Sequence, residues 1–210
     1  MSKPALLLLI GVHLLIVGCS GSSSTISETG SSGGTLDGGA FEGGEAPATP
    51  DGGASTAAGS WSLTGTIGGV DLQEDARSAI AERVDDGTSI RTVVTVANLD
   101  GYCARTQKDA SCAGKGSPHR MLVVTVPGTK PGTYSVTDGD VNDPPAGKAG
   151  VAFMALGESC EMLALPLKAT SGSVTFTKID LAKGGEVALS LDVATSEGPV
   201  SGTITSPACE

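Results

Sequence analysis

Val187-Ala188-Leu189-Ser190-Leu191-Asp192-Val193 alternates large aliphatic side chains with small or polar ones without a break. In an extended strand successive side chains point to opposite faces, so Val187, Leu189, Leu191 and Val193 share one face while Ala188, Ser190 and Asp192 share the other. A helix would scatter the four aliphatics around its girth. The stretch therefore reads as a strand with one face in a core and one in solvent. The same rhythm recurs. Trp61, Leu63 and Ile67 oppose Ser62, Thr64 and Thr66; Val174 and Phe176 oppose Ser173, Thr175 and Thr177; Val200 and Ile204 oppose Ser201, Thr203 and Thr205.

Between these strands lie more continuous apolar runs, 92–97, 121–126 and 151–156. Such runs are expected of central strands covered on both faces. Turn chemistry arrives about every ten residues: Asp85-Asp86-Gly87, Pro127-Gly128, Pro131-Gly132, Gly157, Gly184-Gly185 and Gly198-Pro199. Many short strands joined this way predict one all-β domain over residues 60–210, either a single antiparallel β-sandwich or a small β-barrel. One segment is ambiguous, because Leu72, Ala76, Ala79, Ile80 and Val84 fall on a helical stripe. We read 77–84 as a strand, since Asp85-Asp86-Gly87 closes a hairpin onto 89–97. Two connections exceed ordinary hairpin length, 99–120 and 138–148, and are the places to look for function.

Composition narrows the classes. The chain has 210 residues, 13 Lys+Arg against 23 Asp+Glu, and a net charge of −10. That excess of acid argues against nucleic acid as a partner. With 39% hydrophobic and only 17% charged residues it is too apolar to be wholly disordered. With a single apolar run of any length it is not a polytopic membrane protein.

That run sits at the N-terminus. Lys3 supplies a positive start and 5–17 an apolar stretch whose helical length, about 20 Å, falls short of the roughly 30 Å hydrocarbon core. It reads as a signal peptide over 1–18. Ile16-Val17-Gly18-Cys19 resembles the lipobox of bacterial lipoproteins. The resemblance implies cleavage before Cys19, acylation of Cys19 (diacylglycerol on sulfur, palmitate-type acylation of the amine) and membrane lipid as a partner. Ser20 after the cysteine implies the outer membrane of a Gram-negative cell, facing either the periplasm or the medium. Residues 19–59 then form a linker. Over 20–59 the chain holds 11 Gly, 8 Ser and 5 Thr, no Lys or Arg, and only acidic charges. Such a segment cannot bury enough apolar area to offset its ordering entropy and is expected to be disordered. Its root-mean-square span is about 35 Å. The Asp-Gly-Gly repeats at 37–39 and 51–53 lack a sustained nonapeptide period and read as spacer.

After Cys19 four cysteines remain, Cys103, Cys112, Cys160 and Cys209. An exported chain favours disulfides, and four cysteines allow three pairings. We favour Cys103–Cys112, stapling the long loop, with Cys160–Cys209 pinning the C-terminus. The spacing around His119 does not fit zinc ligands.

Gly65-Thr66-Ile67-Gly68-Gly69, Pro131-Gly132-Thr133-Tyr134-Ser135-Val136, the stretch Ser171 to Asp180, and Val200-Ser201-Gly202-Thr203-Ile204 with Cys209 together look like uncharacterised secreted β-domains of bacterial lipoproteins. The resemblance covers most of 60–210. It implies a β-sandwich-like fold and a cell-envelope location, with no activity attached.

Candidate chemistry is sparse. Beyond the leader there is one histidine, His119, and the 60–210 domain holds no Gly-x-Ser-x-Gly elbow. Glu158 and Glu161 flank Cys160 at a spacing that puts strand neighbours on opposite faces. Cys112-Ala113-Gly114-Lys115-Gly116-Ser117 superficially resembles a phosphate loop but lacks Ser/Thr after Gly-Lys and a following helix. Asp138-x-Asp140-x-Asn142 matches the first half of a calcium loop, although Asp143 stands where glycine is needed and Ala149 where glutamate is. A polar turn before two prolines is the simpler reading. Arg105, Lys108, Lys115 and Arg120 against Asp109 give 101–120 a local charge of +3, with His119 beside them, a candidate anion-binding loop. Nothing calls for a cofactor. The expectation is a lipid-anchored envelope protein with a non-catalytic binding or structural β-domain and an envelope or extracellular partner. A carrier of a small apolar ligand in a barrel cavity is the alternative, and an envelope glycan hydrolase comes third.

Overall fold

The computed structural model describes residues 59–109 and 112–209; the leader, Cys19 and the linker up to residue 58 lie outside them. Eleven strands alternate with two short helices: β1 (Ser60–Thr64), β2 (Thr66–Ile67), β3 (Val70–Asp71), α1 (Leu72–Asp75), β4 (Ser78–Asp85), β5 (Ile90–Ala97), α2 (Tyr102–Lys108), β6 (His119–Pro127), β7 (Gly132–Val136), β8 (Lys148–Leu156), β9 (Leu167–Ile179), β10 (Glu186–Thr195) and β11 (Gly198–Pro207). Nine of the strands form one sheet in the order β1-β11-β10-β9-β7-β8-β6-β5-β4, with β8 also pairing with β9; β2 and β3 form a separate hairpin. The sheet is nearly closed. Beyond β11, Ala208 makes a parallel bridge to Ala81 of β4, and the Cys209 N–H donates to the Ala81 carbonyl at 2.7 Å. The domain is all-β, as the alternation predicts.

The alternating face of β10 faces the interior. Val187, Leu189, Leu191 and Val193 are buried together with Val174 and Phe176 of β9, Val200 and Ile204 of β11, and Val94, Val124 and Val151 from β5, β6 and β8. Tyr134 of β7 meets Phe176 edge-on, with ring centroids 6.0 Å apart, and anchors its hydroxyl on the Lys130 carbonyl at 2.7 Å. The continuous runs have a second cover. Ile80, Ala97, Met121 and Val123 point outward from β4, β5 and β6 and are buried beneath Leu99 and Tyr102, with Cys103, Ala113 and Cys209 packed against them.

That cover corrects the reading of 99–120 as a loop, for it contains α2. It also corrects the cysteine pairing. The bonds are Cys103–Cys209 and Cys112–Cys160, each with Cα atoms 5.6 Å apart. The local pairing fails because α2 carries Cys103 down onto the outer cluster beside the C-terminus. The chain after α2 turns instead toward the β8–β9 connection, where the Gly116 N–H donates to the Glu158 carbonyl at 2.8 Å. All four cysteines predicted to form disulfides do so.

The ambiguous segment divides. Asp71 caps α1, its Oδ1 accepting the N–H groups of Gln73 (2.8 Å) and Glu74 (3.2 Å). The chain then extends into β4, which pairs with β5 from Ser78↔Ala97 to Asp85↔Ile90. The second long connection has a topological cause. β7 and β8 are parallel (Ser135↔Lys148, Val136↔Ala149), the one exception to antiparallel pairing between the named strands of the large sheet, and a parallel link cannot be a tight hairpin.

Candidate functional site

The candidate site lies at one end of the nearly closed sheet, where β1, β5, β6 and β8 end or begin. A cleft of about 280 Å3 opens there. Leu63, Val96, Leu122, Phe153 and Leu167 form its walls, and Ile67, Val70 and Leu72 reach over it from the β2–β3 hairpin and α1. Three contacts hold that flap. The Leu63 N–H donates to Gln73 Oε1 at 2.8 Å, the Leu72 N–H to the Gly65 carbonyl at 3.2 Å, and the Gly68 N–H to the Glu197 carboxylate on the β10–β11 turn.

Polar groups are confined to the rim. Arg120 grips Asp75 bidentately, Nε to Oδ2 at 3.0 Å and Nη2 to Oδ1 at 2.5 Å, tying the start of β6 to α1. This bond to Asp75 raises the Arg120 pKa above its ordinary value. An apolar pocket with a few fixed polar groups at its edge is the usual form of a small-molecule site. A second depression of about 600 Å3, near Arg83, Thr129 and Asp180, is polar and lacks such walls.

The predicted anion-binding loop does not assemble. On β6, His119 and Arg120 point to opposite faces. His119 is 3% exposed, its Nδ1 paired with the Ser117 carbonyl at 3.1 Å, and its ring lies against the backbone of Gly114. A side chain at Gly114 would overlap that ring, which accounts for a glycine in the stretch resembling a phosphate loop. Arg120 is occupied by Asp75 at the cleft, and Arg105 donates to the Asp100 carbonyl at 3.0 Å. Lys108 and Lys115 are exposed.

The Asp138-Asp140-Asn142 pattern forms a different structure. Asp140 Oδ1 accepts the Asn142 N–H at 2.9 Å, an Asx turn. Two carbonyls of the loop already receive cations: Lys168 Nζ reaches Gly139 at 2.8 Å and Arg91 Nη1 reaches Asn142 at 2.6 Å. Among the described residues no three His, Cys, Asp or Glu side chains gather as a metal site would require. Glu161 turns back locally, its Oε2 accepting the Ser159 N–H at 3.0 Å.

Two features escaped the sequence reading. Glu82 faces α2 from β4, where burial raises its pKa and a hydrogen bond with Thr106 only partly offsets that. Tyr102 beside it is pushed up to about 12 by its own burial and then by the Glu82 charge. The second is the segment after Cys160. Met162, Leu163 and Leu165 are 56%, 59% and 90% exposed, and Leu165 also lines the cleft. The run Met162-Leu163-Ala164-Leu165 is apolar in the sequence, but nothing local distinguishes an exposed run from a short buried strand.

No family model matches the chain, and no match was found among curated proteins or solved structures. Fold and site together define a class: a small, nearly closed all-β domain with an apolar cleft at one end.

Proposed function

We propose that this is a non-catalytic binding protein of the cell envelope, anchored through acylated Cys19 in the outer membrane, and that its β-domain carries a small apolar ligand in the cleft. The observation that carries the reading is the cleft itself, apolar on its walls and polar only at its rim. A cavity of about 150 Å3 accommodates benzene, so one of about 280 Å3 suits an alkyl segment of roughly ten carbons. The anchor rests on the lipobox-like Ile16-Val17-Gly18-Cys19. The non-catalytic reading is supported by His119, whose burial and backbone contact remove it from any solvent-facing triad.

The test is binding of decanol, an uncharged ten-carbon chain, followed by displacement of a fluorescent apolar probe. The wild-type chain binds it. Ala155→Phe, which places a ring where a cleft-lining alanine now stands, abolishes binding while the far-UV spectrum is retained. Wild-type protein that fails to bind decanol, or binding unchanged in Ala155→Phe, overturns the reading. Labelling of cells with radioactive palmitate tests the anchor separately, and Cys19→Ser removes the label.

A further inference from the structure

We propose that the end of the barrel carrying the cleft docks on a zwitterionic lipid bilayer, with Leu165, Met162 and Leu163 seated among the acyl chains, so that the cleft is loaded from the membrane with an acyl chain. Among the described residues these are three of the four exposed large hydrophobics. Scattered exposed apolar residues are ordinary, but three within four positions beside an apolar opening mark an interaction surface.

The segment is held in its exposed position. The Gly157 N–H donates to the Glu161 carbonyl and the Leu163 N–H to the Ala155 carbonyl, both at 2.9 Å; Met162 bridges to Leu156, and Cys160 is bonded to Cys112. These contacts hold the backbone of 157–163, from which Met162 and Leu163 stand exposed, so docking there costs little further ordering. Leu165 belongs both to the protruding segment and to the cleft wall, which makes one surface of the two.

Charge selects the kind of lipid. Arg120 at the rim is neutralised by Asp75, Glu197 at the rim is acidic, and the chain carries a net −10. An anionic surface is repelled; a zwitterionic one is not. The length of chain outside the described residues supplies the encounter. A linker whose composition predicts a span of about 35 Å would keep the domain at an effective concentration in the millimolar range over a membrane holding acylated Cys19, so a weak docking contact suffices. The tethered encounter rests on the proposed anchor, and the loading step on the anchor and the cleft; the docking contact itself rests on neither.

The test uses the mature chain, 19–210, carrying Cys19→Ser so that no acyl group contributes. It is mixed with vesicles of phosphatidylcholine and phosphatidylethanolamine at several millimolar lipid, the concentration the tether would impose. The chain is expected to co-sediment, and Leu165→Asp to weaken partitioning at least tenfold without moving the melting curve, because Leu165 is exposed. In a second variant, Trp61→Phe with Leu165→Trp, emission shifts to the blue on vesicles and is quenched by lipids brominated on the chain. No co-sedimentation, or co-sedimentation indifferent to Leu165→Asp, overturns the proposal. A dimer in solution that Leu165→Asp dissociates also overturns it, by assigning the patch to a second copy. Decanol binding by a wild-type chain that does not co-sediment leaves the cleft reading intact; docking without decanol binding removes that reading alone.

Discussion

Cys103 and Cys209 join two places where the fold would otherwise be open: the helix covering the outer face of β4–β6, and the C-terminal residues that bridge β11 to β4. The bond spans 106 residues of sequence, so it removes much of the freedom of the unfolded chain. A native disulfide of this kind contributes about 2–4 kcal/mol.

Cys103→Ser is therefore expected to lower the melting temperature by roughly 5–15 °C in a domain of this size. Protease should then cut first near α2. An unreduced digest analysed by mass spectrometry should yield the linked peptides Cys103–Cys209 and Cys112–Cys160; a Cys103–Cys112 peptide would contradict the structure.

Glu82 gives a pH dependence of definite sign. Its folded-state pKa lies above the ordinary 4.5 because burial disfavours the carboxylate. The ionised group therefore costs stability above the folded value, and that cost vanishes as pH falls below 4.5. Glu82→Gln keeps a hydrogen-bonding partner for Thr106 and removes the charge. It should melt a few degrees above wild type at pH 7 and level with it near pH 4, as read by calorimetry across that range.

Asp86 acts in the opposite direction. Its carboxylate accepts the Thr88 hydroxyl at 2.6 Å and the Ser89 and Thr88 N–H groups at 2.8 and 2.9 Å, and it pairs with Arg91 at 2.7 Å. The Thr88 hydroxyl first, then the backbone donors, hold its pKa well below the ordinary 3.8. The stabilisation is present above 3.8 and is lost as pH falls through the lower folded value. Asp86→Ala should therefore melt below wild type by a constant margin from pH 7 to pH 5, a gap that narrows only in stronger acid.

Gly150 is the clearest steric test. Its α-carbon faces the backbone of Val141, so a Cβ at 150 would overlap the Val141 carbonyl. Gly150→Ala must displace the 138–147 connection from the sheet and should cost about 1–3 kcal/mol. Faster amide exchange at Val141 and Asn142 would locate the change there.

What the sequence made legible follows the range of the forces involved. Alternation at 187–193 and the Asp85-Asp86-Gly87 hairpin are local, and the strands appear where those signals put them. The pairing of β7 with β8 in parallel, and of Cys103 with Cys209, depends on which distant elements become neighbours, which periodicity does not encode. The same limit governs the site. Arg120 was visible as a cation in a basic stretch, but its partner Asp75 lies on α1, and one residue of strand alternation separates it from His119 on the other face. The cleft is built from five strands and a flap, so no short motif announces it.

The pairing of β1 with β11, Ser60 against Thr205 through Thr64 against Ser201, orders events in time. During synthesis β1 is the first of the described strands to emerge, yet its partner strand is the last. The β4–β5–β6 meander can form on its own schedule, whereas β1 must wait unpaired, its backbone hydrogen-bonded only to water. Such high contact order slows the final closure and exposes a strand edge to other chains meanwhile. A chaperone that shields β1, or simple dilution, should therefore raise refolding yield more than any change to the meander.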